Sequence, residues 1–178
     1  MPKLLAEKLI RDIPDFPQPG ILFRDITPLL ASPAAFRESV QRIADKYRDT
    51  KLDAVISAEA RGFIFAAPLA LELNVSFIPV RKPGKLPFDT ESFHYELEYG
   101  SERIEMHTDA IVSGETILLV DDLVATGGTA LAVAELIRKV GGEILGCVCI
   151  VDLPDLGGSR RLREAGVALH TLCQFEGD

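Results

Sequence analysis

Apolar residues fall in two rhythms that take turns along the chain. After Ser32-Pro33, Phe36, Val40, Ile43 and Tyr47 stand at i, i+4, i+7 and i+11, one stripe of a helix. The Ser-Pro pair supplies its cap and first turn. Asp53 to Ala58 is a short, largely apolar run and reads as the first strand of the core. Glu59-Ala60-Arg61-Gly62 is its exit turn, and a helix follows from about Phe63 to Leu73, with Pro68 expected to kink it. Ser76 to Val80 is the next strand. Thr116 to Asp121 is another, followed by Leu131, Ala134, Glu135 and Ile137 at helical spacing. That helix stops at Gly141-Gly142. Glu143 to Val151 is a strand, Ser159 to Ala165 a short basic helix, and Ala168 to Cys173 a closing strand. Strand and helix alternate, which predicts an α/β fold whose parallel-sheet core is flanked by helices.

The flanks read differently. Lys3 to Asp12 is expected to form an amphipathic helix, ended by an ordered turn over Phe16 to Gly20. Lys82 to His94 reads as a long loop. Phe93 to Tyr99 and Arg103 to His107 then read as a hairpin turning at Gly100-Ser101.

Composition keeps this picture and narrows the partners. The 178 residues are 47% apolar and 26% charged, enough for a folded domain with a core. No linker or repeat divides residues 1–178, so one domain is expected. A net charge of −8 argues against non-specific binding to nucleic acid or an anionic membrane. No stretch reads as a signal peptide or a membrane span. Cys147, Cys149 and Cys173 lack zinc spacing, and the first two share one strand face. They read as reduced core residues of a cytoplasmic protein. His94, His107 and His170 form no metal motif.

Chemistry concentrates in Ile117 to Thr129, I-L-L-V-D-D-L-V-A-T-G-G-T. Four apolar residues, two acids, a small-residue loop and a helix follow one another. Gly127 and Gly128 allow a tight turn with bare N–H groups, and the next helix adds its free first-turn N–H groups and positive dipole end. Thr126 and Thr129 add hydroxyls. That is a phosphate loop. Asp121 and Asp122 do not suit an anion; they suit sugar hydroxyls or Mg²⁺. Alone, an Asp-Asp pair is most often a solvated strand end, but the whole string reads as a ribose-phosphate site. Neither G-x-x-x-x-G-K-[ST] nor G-x-G-x-x-G occurs.

Other residues stay open at this level. Arg61, in a strand-to-helix turn, suits an anion or a plain surface. Arg81, Lys82 and Lys85 suit a charged phosphate or a solvated loop. Phe23 suits a buried edge or an aromatic wall beside a flat ligand.

The Ile117–Thr129 string resembles the 5-phosphoribosyl-1-diphosphate (PRPP) motif of the type I phosphoribosyltransferases. Four more segments, F-P-x-P-G-I-L-F-R-D-I-T-P-L-L, E-A-R-G-F-I-F, V-R-K-P-G-K-L-P and L-E-Y-G-S, resemble the branch of that family acting on adenine. Together they span nearly the whole chain. The resemblance implies the type I fold with a small hood and lid hairpin. It also implies transfer of the phosphoribosyl group from PRPP to adenine, giving AMP and diphosphate. Mg²⁺ would be bound with PRPP, largely through water and with few direct protein ligands, and the protein would be a homodimer. Asp121, Asp122, Arg61 and Glu98 are then catalytic, with Glu98 the proton-transfer residue. Ala125, Thr126, Gly127, Gly128 and Thr129 hold the 5′-phosphate. Ala60, Arg61, Arg81, Lys82, Lys85 and Tyr99 meet the diphosphate. Phe23 and Leu123 sandwich adenine, with backbone near Leu22 and Arg24 reading its amino edge. A cis or otherwise strained peptide is expected at Glu59–Ala60, and Lys82 to Gly100 is expected to close as a lid. An enzyme for 6-oxopurines needs a donor facing O6, often a Lys, and the adenine-like I-L-F-R-D segment argues against that. A non-catalytic PRPP-binding regulator of nucleic acid needs a basic face, which this acidic chain lacks.

Overall fold

The computed structural model describes residues 4–97 and 100–176. The chain opens with α1 (Leu5–Leu9) and an antiparallel pair, β1 (Arg11–Pro14) with β2 (Leu22–Asp25). The helix expected up to Asp12 thus stops at Leu9. Arg11 and Asp12 find partners across the pair instead: Arg11 Nη2 lies 2.6 Å from Asp25 Oδ2, and Asp12 pairs with Arg24. Next come α2 (Thr27–Leu30) and α3 (Pro33–Tyr47), where Ser32 Oγ accepts the Ala35 N–H at 3.4 Å.

The core follows as β3 (Ala54–Ala58), α4 (Gly62–Leu73) and β4 (Ser76–Val80). The chain then makes a hairpin, β5 (Thr90–Leu97) and β6 (Gly100–His107). It returns through β7 (Thr116–Val124), α5 (Gly128–Lys139), β8 (Glu143–Asp152), α6 (Gly158–Glu164) and β9 (Leu169–Gln174). Helix α4 runs through Pro68, which leaves the Ile64 carbonyl without its usual intrahelical donor.

Five parallel strands lie in the order β4-β3-β7-β8-β9. Both faces are covered, so alternate residues feed different cores. Ile56, Leu119, Cys147 and Cys149 pack toward α5 and the hairpin, meeting Val133, Ile137 and Met106. Val55, Leu118, Val120 and Ile150 pack toward α3 and α4, meeting Ile43, Phe65 and Leu69. The two strand cysteines are buried free thiols, 3.8 Å apart.

From β3 the chain crosses outward to β4. From β7, on β3's other side, it runs outward to β8 and β9. Connections therefore diverge between β3 and β7, and a crevice opens beyond their carboxyl ends.

The hairpin differs from expectation at both ends. Strand β5 begins at Thr90, so the preceding irregular segment ends at residue 89. Lys139 on α5 fixes that start: its Nζ donates to the Ser92 carbonyl at 3.0 Å and pairs with Glu91 at 2.5 Å. Leu97 pairs with Gly100 and Glu96 with Ser101, so Gly100 and Ser101 are strand residues and not the turn.

Candidate active site

Strand β7 carries its acids to the crevice. Asp122 is buried at 4% exposure, and its N–H donates to Asp121 Oδ1 at 2.8 Å. Arg61, just ahead of α4, sets its Nε 2.8 Å from Asp122 Oδ2. That contact is an ion pair without hydrogen-bond alignment, since Oδ2 receives no donor. Helix α4 starts close over the acids because its first residue has no side chain. A Cβ on Gly62 would lie 2.3 Å from Ser57 Oγ and 2.7 Å from Asp121 Oδ1.

Burial, and then the charge of Asp122, push the Asp121 carboxyl well above the usual range. Burial pushes Asp122 up as well, against the pull of Arg61. Adjacent buried carboxylates resist double ionisation. Such a pair favours a ligand that brings positive charge or hydroxyl donors.

Beyond the acids, Ala125 to Thr129 form the loop into α5. Gly127 has φ +79°, a left-handed conformation that favours glycine. A Cβ there would also come within 3.0 Å of Gly158 Cα. The first N–H groups of α5 have no intrahelical partner and adjoin the crevice. The loop, the acids, Leu123, Ala60 and Arg61 all line one cleft of about 260 Å³. The ribose-phosphate set read from the sequence thus converges in space.

The Glu59–Ala60 peptide is cis, as expected. Glu59 itself was not singled out from the sequence, yet it organises the basic segment. Its carboxylate accepts the Lys82 N–H at 2.6 Å and pairs with Arg81 Nη2 at 3.3 Å. The Lys82 N–H first, then Arg81 and Lys85, hold Glu59 below its usual range. Arg81 and Lys82 line a smaller adjoining cavity that shares Glu59 and Thr129 with the main cleft. Two more acids were missed. Glu102 lies 3.5 Å from Lys82 Nζ and accepts the Tyr95 hydroxyl at 2.9 Å. Glu105, 5% exposed, accepts the Gly84 N–H at 3.2 Å and pairs with Arg103 at 2.6 Å. The basic run is therefore a tethered segment, not a freely solvated one. Only the hairpin register brings these acids to it, and no local pattern marks them.

Phe23 is half-buried on β2. The Arg61 guanidinium lies 5.4 Å from its ring centre and Phe16 meets it edge-on at 5.1 Å. Phe23 thus stands at the rim of the cleft, joined to it through Arg61, while Leu123 lies inside. The Arg24 side chain turns elsewhere: it pairs with Asp12, donates to the Glu176 carbonyl at 2.8 Å and stacks near Phe175. Among the described residues, strand β2 pairs with β1 alone, which leaves its other edge outside any sheet. Lys85 sits in the turn after Lys82, its N–H on the Lys82 carbonyl. Glu98 and Tyr99 lie outside the described residues. Among the described residues, no three His, Cys, Asp or Glu side chains converge as a metal site.

A parallel sheet in the order β4-β3-β7-β8-β9, with an acid pair and a small-residue loop where its connections diverge between β3 and β7, defines a phosphoribosyltransferase-type site. Residues 26–166 match the phosphoribosyl transferase domain family. The chain is 53% identical over 174 residues to the adenine phosphoribosyltransferase of Shewanella loihica, covering 98% of this chain and 96% of that one. The crystal structure of adenine phosphoribosyltransferase from Thermoanaerobacter pseudethanolicus superposes with TM-score 0.91 at 45% identity, covering 96% and 98% of the two chains. That from Saccharomyces cerevisiae, complexed with an imino-altritol bisphosphate and adenine, superposes with TM-score 0.88 at 35% identity over 94% and 96%. The chain belongs to the adenine phosphoribosyltransferase family, a family of pentosyltransferase enzymes.

Proposed function

We propose that this chain transfers the 5-phosphoribosyl group from PRPP to adenine, producing AMP and diphosphate, a purine-salvage reaction. One observation carries the reading: an acid pair and a backbone phosphate loop share one cleft at the switch point, with Arg61 beside the acids. In the reaction the C1′–O bond breaks and its electron pair leaves with diphosphate. A nitrogen of adenine bonds C1′ and gives up its proton. Positive charge builds on the ribose, as in glycoside chemistry.

Each part of the cleft suits one part of that step. Asp121 and Asp122 hold the ribose hydroxyls and favour the developing charge. Ala125 to Thr129 hold the 5′-phosphate. Ala60, Arg61, Arg81, Lys82 and Lys85 receive the diphosphate, for which Arg81 exchanges its Glu59 partner. Phe23 and Leu123 flank the base, with the open edge of β2 near Leu22 and Arg24 to read its amino group. Glu98 takes up or relays the proton, and Tyr99 joins the diphosphate end. Mg²⁺ fits this donor set as an ion carried by PRPP. The hard oxygens of Asp121 and Asp122, one of them without a hydrogen-bond donor, would help to hold it, and it would supply positive charge against the diphosphate. We also place the enzyme in the cytoplasm, as a homodimer of single-domain chains acting on small molecules, with neither nucleic acid nor membrane as partner.

The test is diphosphate release from PRPP and Mg²⁺ with a panel of bases. Adenine should drive release and AMP formation, and hypoxanthine and guanine should be poor substrates. A preference for another base, or no base-dependent release at all, sinks this reading.

A further inference from the structure

The phosphate loop does not hold its shape alone. Three successive carbonyls are pinned by one segment just beyond the carboxyl end of the neighbouring strand β8. The Leu153 N–H donates to the Val124 carbonyl at 3.0 Å, and the Gly158 N–H donates to the Ala125 carbonyl at 2.9 Å. Arg161 Nη1 then donates to the Thr126 carbonyl at 2.7 Å. The contact is too close for a side chain between the backbones. A Cβ on Gly158 would lie 2.3 Å from the Ala125 oxygen and 2.6 Å from the Gly127 nitrogen.

The peptides from Val124 to Gly127 are trans, and in a trans peptide the N–H points opposite its C=O. Tying the Val124 and Ala125 carbonyls back toward residues 153–158 turns the Ala125 and Thr126 N–H groups the other way. The Arg161 bond likewise turns the Gly127 N–H away from the guanidinium. Without these donors the loop has no hydrogen-bonded reason to present N–H groups, rather than carbonyls, to an anion.

We infer that Arg161, together with the backbone of Leu153 and Gly158, is a positioning residue for the 5′-phosphate site: it acts through the Thr126 carbonyl to orient the N–H groups of the loop. The inference rests on the phosphoribosyl-transfer reading above. Arg161 is exposed and contributes no packing to the core. Its effect should therefore fall on phosphate binding and not on folding.

The experiment compares wild type, Arg161→Ala and Arg161→Lys. Calorimetry gives the affinity for ribose 5-phosphate, and kinetics with PRPP and adenine give kcat and each KM. Arg161→Ala should weaken ribose 5-phosphate binding and raise the PRPP KM by roughly tenfold, the scale of one hydrogen bond from a charged donor. The adenine KM, kcat at saturation and melting temperature should stay near wild type. Arg161→Lys keeps a charged donor and should recover most of the loss. Gly158→Ala, which displaces the Ala125 carbonyl, should weaken ribose 5-phosphate binding at least as much. Ribose 5-phosphate affinity within about twofold of wild type in Arg161→Ala overturns the inference, as does an equal loss for adenine. Inactive wild type would instead refute the reading on which it rests.

Discussion

Two regions of this molecule are suited to phosphate, and they are built on opposite plans. The loop after β7 is made of backbone. Its shape comes from Gly127 in a left-handed conformation and from carbonyls pinned by residues 153–161. No charged side chain belongs to it. The segment after β4 is made of side chains. Arg81 and Lys82 stand there and Arg103 faces them from β6, with Glu59, Glu102 and Glu105 as internal counter-ions. The first plan is organised before any ligand arrives, so binding needs little rearrangement. The second must trade an internal carboxylate for a bound anion. The difference suits the assignment proposed above, with the 5′-phosphate in the loop and the diphosphate at the basic segment. A 5′-phosphate stays with the sugar from substrate to product, and a fixed cradle serves it throughout. A diphosphate has to leave, and side chains with alternative partners release it readily.

The acid pair lies between these regions and should show the largest effect. Asp121→Asn or Asp122→Asn should keep the fold and lower turnover by roughly two to three orders of magnitude, the loss expected for one transition-state electrostatic contact. Circular dichroism and diphosphate release check both halves. Near-wild-type turnover in both variants would remove the pair from the mechanism.

The backbone plan is broken most directly at Gly127. Alanine there must adopt a positive φ and meet Gly158 at 3.0 Å. Strain of about 1–3 kcal/mol should raise the KM for PRPP roughly ten- to a hundredfold, with the adenine KM little changed. A KM for PRPP equal to wild type would mean that the cradle is not preformed.

On the side-chain plan a smaller effect of opposite sign is expected. Glu59→Gln keeps an acceptor for the Lys82 N–H but removes the charge that competes for Arg81. Diphosphate should bind about three- to fivefold tighter, the scale of one partly exposed ion pair. Inhibition by diphosphate measures this, and weaker inhibition would show that Glu59 is not a competitor. The same segment should close over ligand as a lid. Trypsin should cut at Lys85 quickly in the free protein and slowly with PRPP and Mg²⁺, and AMP alone should protect less. Equal cleavage in all three conditions would make it a fixed surface. The anchors at Glu91 and Ser92 sharpen the expectation, since they leave the residues before β5 as the part that closes.

The smallest effect concerns stability. Asp121's carboxyl is held above its ordinary range by burial, so its ionisation opposes folding. Its favourable contribution is complete below the unfolded pKa, about 4, and is lost as pH rises through the higher folded value. Asparagine cannot ionise. Asp121→Asn should therefore melt above wild type at pH 7, with the gain disappearing toward pH 4. A lower melting temperature at pH 7 would show that the carboxylate is stabilised in the fold.

Much of the central fold and of the cleft was legible in the chain, because both depend on local signals. A helix stripe is a period, a parallel strand is an apolar run, and a strand followed by acids, small residues and a helix places its loop at a carboxyl end. Asp121 to Thr129 are contiguous, so finding them needed no knowledge of what packs against them. Local signals misled where a distant partner outweighed them. Arg11 and Asp12 left a helical pattern for Asp25 and Arg24 across β1–β2. The hairpin register, which pairs Leu97 with Gly100 and Glu96 with Ser101, moved Gly100 and Ser101 out of the turn and into the strand. Glu59, Glu102 and Glu105 carry no pattern of their own, since a glutamate's partner is decided by what lies opposite. Gly158 and Arg161 lie some thirty residues beyond the loop they hold. The sequence by itself determined the alternation of strand and helix, the phosphate loop and the acids beside it. Only the tertiary structure decided which way that loop's N–H groups face and which carboxylates restrain the basic segment. The reason is physical: backbone period and glycine freedom act over a few neighbouring residues, whereas a hydrogen bond or ion pair needs only proximity in space.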